Sequence, residues 1–392
     1  MSIEKLKLRT FSLKKIFSPH IYIYPIKIIL KDMKLQESSN LYTEFLLCQT
    51  SQASATMCSS MLDNIVKHDS FSRMLQLGSY GSHYVWNKAK SLLKSLKKSF
   101  RYLSLDNTII HKPDSKVNEL VNWFYDHSVG KAVKGINLIS ALIHTSTSDI
   151  PVGFEVQAKD QLVVNQDKHG NDRFKRKARY SINQLTRKLV KQVLKNVGCF
   201  DYVIGDRYFA SKENLKFFNK HKIKFVLGIC SNRLVAKSKS DAKVGNYCRI
   251  DELELSDHES MKVYLKDINY SLVVTRQVFK NGDKPTGEIY LITNDLNLQS
   301  SHIEEIYQKR WNIETYHRSL KQNVSLAKSP TSVITTQLNH IGLSIGAFIE
   351  LEKLKLASNK NHYALKRKML VAANQASYRE IIKMKNTLKI VS

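Results

Sequence analysis

The order of β-rich and helical segments in the middle of the chain constrains its fold more than any other feature. Three stretches rich in β-forming residues come first, at residues 102–110, 135–144 and 152–157. A strongly basic helix, a buried strand, a second helix and another strand then follow in turn, at residues 181–197, 201–205, 211–221 and 224–229. This order predicts a mixed α/β sheet that is flanked by helices.

The same order of elements fits a ribonuclease-H-like core. Short alternating runs at residues 231–297 predict an all-β insertion, and residues 301–322 predict one long helix. Ser301 followed three residues later by Glu304 is a capping box, so we expect that helix to begin at Ser301. Apolar residues at helical spacing should seat this helix on the sheet. They are Ile306, Ile313 and Leu320.

The charge of the chain favours an anionic partner. Its 62 Lys and Arg residues exceed its 34 Asp and Glu residues, which gives a formal net charge of +28. Such an excess repels itself unless an anion is bound, and nucleic acid is the leading candidate. A basic ribosomal or membrane-surface protein is the alternative.

Ten of the basic residues lie between positions 168 and 195. We predict that this segment tracks a DNA backbone, and the alternative is a solvated basic face. The residues that we assign to DNA contact here are Arg173, Lys175, Arg176, Lys177 and Arg179.

Cysteine usage and hydropathy bear on the compartment of the protein. The five cysteines are scattered and form no C-x-x-C pair, so no zinc knuckle is predicted. A sparse, odd set of cysteines suits a reducing cytoplasm. No apolar run approaches the roughly 20 residues that a membrane span needs, so we expect no membrane partner.

One face of the predicted long helix combines an acid with bases and a phenol. The side chains that define it are separated by three, four and seven residues, and at about 100° per residue they lie within roughly 60° of one another. A carboxylate beside cations can bind a metal ion and a phosphodiester together. The alternative is a solvated face with ordinary ion pairs. The residues are Tyr307, Arg310, Glu314 and Lys321, and Arg318 falls on the same face.

Two aspartates in the predicted strands complete a set of three carboxylates with Glu314. Asp106 lies inside an apolar strand, where a carboxylate is costly without a partner. Asp206 lies where a buried strand ends, which is where open α/β sheets place their active sites, although such an Asp is more often a turn former. Three carboxylates can hold two divalent ions about 4 Å apart. Oxygen ligands suit Mg²⁺ or Mn²⁺ rather than zinc.

These segments resemble a known family. The stretches LSLDNTIIHKP, IGDRYFASKENL and IYQKRWNIETYHRSLK are similar to the three catalytic blocks of DDE transposases. The third matches the Y-x2-R-x3-E-x6-K signature of the bacterial insertion-sequence-four family, and the resemblance extends from about residue 40 to the C-terminus. It implies that Asp106, Asp206 and Glu314 are the catalytic metal triad. It also implies that Tyr307, Arg310 and Lys321 grip phosphates near the cut and help to hold a flipped base.

The resemblance implies cut-and-paste transposition in the bacterial cytoplasm, at the nucleoid. The substrates would be the terminal inverted repeats of an insertion sequence and a target DNA, and the synaptic complex would contain a homodimer. Two residues depart from the family pattern. Asn107 replaces a common second acid, and the insertion lacks a tryptophan. Tyr270 and Phe279 are the rings of the insertion that should lie near strand ends, and we favour Phe279 as the one that stacks the flipped base. A nuclease without strand transfer and an inactive DNA-binding relic are the alternatives.

This interpretation divides the chain into four segments. Residues 1–32 form a basic extension, and we expect a chain that starts at Met33 to fold and cut DNA without it. Residues 33–100 are expected to form a helical DNA-binding domain, with a helix-turn-helix and a plain helical bundle as open alternatives. Residues 101–330 form the catalytic domain with its insertion at about 231–297. Residues 331–392 form a helical C-terminal segment.

Overall fold

The computed structural model describes residues 35–96, 100–166, 169–170, 172–281 and 284–391. The chain divides into two units, residues 1–33 and 34–392. The predicted extension at residues 1–32 lies outside the described residues, so the fold presented below is that of the second unit.

The described residues contain one large sheet and a separate hairpin. The strands of the large sheet are β1 Tyr102–His111, β2 Asn122–Asp126, β3 Lys131–His144, β4 Asp149–Gln157, β7 Tyr202–Gly205, β8 Phe225–Ile229, β9 Leu234–Ala236, β10 Cys248–Arg249, β11 Ser260–Leu265, β12 Leu272–Asn281 and β13 Lys284–Thr293. The hairpin consists of β5 Gln161–Gln166 and β6 Asp172–Lys177. The prediction of a mixed α/β sheet is therefore confirmed.

The centre of the large sheet combines antiparallel and parallel strands. Strands β10, β9, β11, β12, β13, β8, β7, β1, β3 and β2 are neighbours in that order, and β4 pairs with β3. β1 is antiparallel to β3 but parallel to β7, and β7 is parallel to β8. All four residues of β7 are buried, as expected for a parallel strand covered on both faces. The ends of β7 and β8 therefore meet at one edge of the sheet.

Eleven helices accompany the strands within the described residues. They are α1 Leu35–Cys48, α2 Ala55–Met61, α3 His68–Leu77, α4 Ser82–Ser95, α5 Ile182–Val197, α6 Lys212–Lys220, α7 Lys239–Val244, α8 Ser300–Gln308, α9 Trp311–Asn323, α10 Ile334–Ser358 and α11 His362–Val391. None of the helices in the described ranges is both long and apolar enough to cross a membrane.

The N-terminal helices pack against the C-terminal helix α10. The Asn339 side chain accepts a hydrogen bond from the Tyr80 backbone N–H and donates to the carbonyls of Leu75 and Gly78, at 2.8–3.0 Å. Tyr42 Oη lies 3.1 Å from His340 Nδ1. Segments that are about 260 to 300 residues apart in sequence thus form one helical layer beside the sheet.

The insertion differs from the prediction in one respect. Residues 239–244 form the short helix α7, so the expectation of an all-β insertion is wrong there. The Ser238 side chain caps this helix by accepting a hydrogen bond from the Asp241 N–H. The strands of the insertion extend the large sheet, because β13 pairs with β8.

The predicted long helix is two helices, so the expectation for residues 301–322 is wrong. Lys309 N–H bonds to the Ile306 carbonyl and Arg310 N–H to the Tyr307 carbonyl, and these i→i−3 bonds tighten the chain between α8 and α9. Ser301 is not the cap, because Gln299 precedes the helix and makes no side-chain cap bond.

A long-range contact explains the lost capping box. Both carboxylate oxygens of Glu304 lie 2.8 Å from His258 Nδ1, in the insertion, so this side chain is turned away from the helix start. The predicted apolar stripe of Ile306, Ile313 and Leu320 is buried, as expected.

Candidate active site

Asp106 and Asp206 lie side by side on neighbouring strands. β1 and β7 are parallel, and Leu105 of β1 lies opposite Gly205 of β7. The residue that follows each of them is an aspartate, Asp106 or Asp206. Asp206 follows the end of β7 and caps a 3₁₀ turn, where its Oδ1 accepts a hydrogen bond from the Tyr208 N–H at 2.9 Å. Asp206 therefore lies at the carboxyl end of β7, which is where open α/β sheets place their active sites, and Asp106 lies beside it on β1.

The two carboxylates disfavour each other's charge. Burial and the nearby Asp206 raise the pKa of Asp106 to about 7, although the Asn107 backbone N–H donates to its Oδ1 at 2.8 Å. Burial also raises the pKa of Asp206, against the opposing effects of the Tyr208 N–H and of Arg310. Paired carboxylates in a poorly solvated site attract a cation.

The residues of the predicted helix face meet despite the break between α8 and α9. Arg310 Nη1 lies 2.7 Å from Glu314 Oε1, and its guanidinium carbon lies 5.6 Å from the centre of the Tyr307 ring. The charge of Arg310 lowers the pKa of both aspartates. Burial raises the pKa of Tyr307, and the negative charges of Asp206 and Glu314 add to this. The positive charge of Arg310 thus acts on the three carboxylates and on the Tyr307 phenol.

Lys321 and Arg318 differ in their surroundings. Burial lowers the pKa of Lys321, and the carboxylates of Asp126 and Asp106 oppose that shift, which places Lys321 on the carboxylate side of α9. Arg318 is exposed and makes no ion pair with any residue of the described ranges. The structure therefore brings Lys321 into the cluster and leaves Arg318 outside it.

His317 is a site neighbour that sequence reasoning missed. It is buried, its Nε2 lies 3.0 Å from Ser140 Oγ and its Nδ1 lies 3.7 Å from Asp106 Oδ2. Burial lowers its pKa to about 3, so the ring is neutral. Its position, three residues after Glu314 and four before Lys321, is the signal that could have found it.

A second buried polar chain ties the start of α9 to β1. His144 Nε2 lies 2.6 Å from Ser104 Oγ, and His144 Nδ1 lies 2.6 Å from Asp149 Oδ1. Asp149 Oδ1 also accepts a hydrogen bond from Asn312 Nδ2, two residues before Glu314. Ser104 is fully buried and cannot meet a substrate, so this chain of contacts positions the helix that carries Glu314.

The donor chemistry of the cluster fits a hard divalent cation, whereas its arrangement does not yet enclose one. Asp106 and Asp206 offer carboxylate oxygens, which Mg²⁺ and Mn²⁺ prefer. One oxygen of Glu314 is held by Arg310. No group of three or more His, Cys, Asp or Glu side chains in the described part of the chain is placed to hold a metal ion.

The comparison with known families bears on this cluster. Residues 176–338 match the transposase DDE domain family. The matched segment contains Asp206 and Glu314 together with Tyr307, Arg310 and Lys321, whereas Asp106 precedes it. No curated protein matches the chain. The family match supports a DDE transposase, and hence an enzyme.

The basic residues just before and at the start of the matched segment lie on the β5–β6 hairpin and just after it. Lys175 and Lys177 are exposed, whereas Arg176 lies 3.8 Å from Glu119 and Arg179 lies 3.4 Å from Asp160. Arg173 lies on β6 opposite Asn165. Contact of this hairpin with DNA stays a prediction. Within the described ranges, Lys175 and Lys177 form no ion pair with a carboxylate, so both are available to bind phosphate.

Three exposed aromatic rings lie near the edge that carries Asp206. Phe279 lies near the end of β12, which runs parallel to β8, and is 45% exposed. Tyr208 and Trp311, which follow Asp206 and Arg310 closely in the chain, are 46% and 58% exposed. Phe279 as the ring that stacks a flipped base stays a prediction, and the rings of Tyr208 and Trp311 are at least as exposed.

Asp106→Asn should stabilise the metal-free protein at pH 8. The raised pKa means that ionising Asp106 costs folding free energy that is absent below the unfolded pKa of about 3.9 and grows until the pH passes about 7. Asn removes this cost, so the gain should be on the order of 1–3 kcal/mol, or several degrees in Tm. Thermal unfolding with a chelator at pH 8 measures it.

The gain should shrink at pH 5, where Asp106 is already protonated in the folded protein. Asp114→Asn is the matched control, because Asp114 is exposed and should change Tm little at either pH. A lower Tm for Asp106→Asn at pH 8 would show that the Asp106 charge is stabilised by the fold.

Proposed function

We propose that this chain is a cut-and-paste transposase of the bacterial insertion-sequence-four family. It cuts DNA at the terminal inverted repeats of its element and joins the freed 3′ ends to target DNA, as a homodimer in the synaptic complex. Asp106, Asp206 and Glu314 hold two Mg²⁺ or Mn²⁺ ions. The observation that carries this proposal is the pair of adjacent carboxylates, Asp106 and Asp206, at the parallel strands β1 and β7. Arg310 interacts with both of these carboxylates and forms an ion pair with Glu314.

The sheet supports a ribonuclease-H-like core for this enzyme. Its central strands follow the order β4, β3, β1, β7, β8. The first three pair antiparallel, with β2 between β1 and β3 in the chain, and β1, β7 and β8 are parallel, with α5 and α6 in their connections. The sequence predicted the same order of strands and helices for a ribonuclease-H-like core.

The residues of the cluster divide the work of phosphodiester chemistry. Divalent ions held by Asp106, Asp206 and Glu314 would supply activation of the attacking water or 3′-hydroxyl and stabilisation of the leaving oxygen. Arg310 is the group that a DNA phosphate would draw away from Glu314, because a guanidinium binds phosphate as readily as carboxylate. Glu314 is then free to turn toward the aspartates. Neutral His317, whose Nε2 lies 3.0 Å from Ser140 Oγ, fills the space beside the carboxylate of Asp106, 3.7 Å from its Oδ2.

A strand-transfer assay tests this function. Labelled DNA that carries the terminal repeat found beside the gene is incubated with the protein, Mg²⁺ and a supercoiled plasmid. A transposase gives labelled plasmid, in which the end is joined to the target. Cut ends without joined product would favour the nuclease alternative, and no cutting would favour the inactive relic.

Gly228→Ala should lower cutting by roughly two- to tenfold, because its neighbours must shift by a few tenths of an ångström, which is less than the displacement of about 1 Å that costs about 100-fold in a catalytic site. A Cβ at this position would lie 3.0 Å from the Arg207 backbone N, 3.1 Å from Tyr307 Oη and 3.4 Å from the Asp206 carbonyl carbon. The added methyl group must displace Tyr307 or the turn that holds Asp206. The initial rate of end cutting measures the effect.

Gly287→Ala is the control for this variant. A Cβ at Gly287 would meet nothing within 4 Å, so cutting should stay at the wild-type rate. If Gly228→Ala cuts as fast as Gly287→Ala, the contact between Tyr307 and the Asp206 turn has no part in catalysis.

A further inference from the structure

A pocket of about 770 Å³ lies between α6, α7 and the turn at residues 267–270. Its most frequent lining residue is lysine, and three tyrosine rings complete the walls. We name this pocket the lysine cleft. Its lysines are Lys216, Lys220, Lys239 and Lys243, and its tyrosines are Tyr247, Tyr264 and Tyr270.

The lysines reach the cleft as two pairs at helical spacing. Lys216 and Lys220 are four residues apart on α6, and Lys239 and Lys243 are four residues apart on α7. Like charges at this spacing destabilise a helix. The helix dipole favours Lys220 and Lys243 in the last turns, but it disfavours Lys239 at the first residue of α7. Helix stability therefore does not account for the arrangement.

One acidic side chain in the lining faces these four positive charges. Asp267 is the acid that lines the cleft, and its carboxylate lies 3.1 Å from Lys212 Nζ. None of the four cleft lysines makes an ion pair with a residue in the described ranges, and all four are exposed. Four ammonium groups around one concave surface create a positive potential, and binding of an extended anion reduces the repulsion between them.

Two of the tyrosine rings are fixed in place by their hydroxyl groups. Tyr270 Oη donates to the Leu215 carbonyl at 2.8 Å, and Tyr247 Oη donates to the Ala242 carbonyl at 3.2 Å. The rings therefore form rigid, largely apolar walls between the ammonium groups. Rings interleaved with cations suit a polymer that has both phosphates and sugar or base surfaces, and a small anion would use the cations alone.

The cleft lies at the edge of the sheet opposite to the paired aspartates. β8 and β12 both begin at the cleft edge, because Val226 and Val273 are in register with the same residue of β13. Asp206 follows the end of β7, which is parallel to β8. The five residues of β8 span roughly 16 Å at about 3.3 Å per residue, so a ligand in the cleft is not the scissile phosphate.

We propose that the lysine cleft is a second DNA site, which binds the phosphate backbone away from the position of cutting. The proposal rests on the proposed function, since a DNA-joining enzyme has more DNA to hold than the strand that it cuts. Each lysine neutralises one phosphate and releases its counterions on binding.

Paired substitutions test the cleft. Binding of a fluorescent 20-base-pair duplex without the terminal repeat is measured by anisotropy between 50 and 200 mM salt. Lys216→Gln with Lys220→Gln, and separately Lys239→Gln with Lys243→Gln, should each reduce the slope of log K against log salt by about 1.8, or about 0.9 per lost contact. The control pair is Lys262→Gln with Lys360→Gln, two exposed lysines outside the cleft. It removes the same charge and should change the slope by less than about 0.5.

Equal changes in the cleft and control pairs would overturn the proposal, because net charge alone would then explain the binding. Inorganic phosphate separates DNA from a small anion. At matched ionic strength it should displace the duplex no better than chloride, and specific displacement by phosphate would also overturn the proposal.

Cutting by the wild-type protein is recorded in parallel. If the wild type does not cut while the cleft pairs lower the slope, the proposed function fails alone. If it cuts while the slopes are unchanged, the cleft fails alone.

Discussion

Asp106→Asn is expected to reduce DNA cutting by about a thousandfold or more while DNA binding stays within about twofold, because metal ligation needs the charge and folding does not. Asn keeps the shape of the side chain and can still accept the Asn107 N–H bond at Oδ1. It removes one of two carboxylates that lie side by side on β1 and β7, so the remaining oxygen set holds a divalent ion poorly. End cutting in Mg²⁺ and anisotropy with the same DNA measure the two properties.

The matched variant is Asp114→Asn, which removes an exposed carboxylate eight residues further along the chain. It should cut at the wild-type rate. Cutting by Asp106→Asn at a rate close to that of Asp114→Asn would remove Asp106 from the catalytic triad. Asp206→Asn and Glu314→Gln should behave like Asp106→Asn.

Gly342→Ala should destabilise the whole protein by on the order of 3 kcal/mol or more, since a forced overlap in a close-packed interior is among the most costly of substitutions. A Cβ at Gly342 would lie 1.6 Å from the Tyr80 carbonyl oxygen and 2.7 Å from its carbonyl carbon. Backbone atoms of Tyr80 cannot rotate away, and the Asn339 side chain holds the Tyr80 N–H. The N-terminal helices must therefore separate from α10, and Tm should fall by roughly 5 °C or more.

Gly81→Ser is the control at the neighbouring position. A Cβ at Gly81 would meet nothing within 4 Å, and Gly81 is the N-cap of α4, where serine is favoured. Its Tm should equal or exceed that of the wild type. A Gly342→Ala protein with unchanged Tm would mean that α10 and the Tyr80 segment are not in close contact.

Strands with a local signal could be predicted from the sequence, whereas strands that depend on a partner could not. β1, β3 and β7 contain apolar and β-branched residues, so their composition is sufficient. β6 has the sequence DRFKRK, which is mostly charged, and it is a strand because β5 pairs with it. The charges of this segment were visible in the sequence, but its hairpin was not.

The members of the candidate site could be proposed from spacing, but not their contacts. Tyr307, Arg310 and Glu314 lie at helical intervals, and a straight helix gave nearly the same neighbours as the broken one. The break itself depends on i→i−3 bonds around Lys309, for which the sequence has no glycine or proline as a signal. The link from Asn312 through Asp149 to β1 joins residues far apart in sequence, so no local pattern could reveal it.

The metal preference of an Asp106→Cys variant tests most directly whether Asp106 ligates the catalytic ion. A thiolate binds Mn²⁺ better than Mg²⁺, because Mn²⁺ is the softer ion. End cutting by the wild type and by the variant is measured in each metal. We expect the ratio of the Mn²⁺ rate to the Mg²⁺ rate to be at least about tenfold higher for the variant than for the wild type. A variant that cuts in Mg²⁺ at the wild-type rate, with an unchanged ratio, would contradict it.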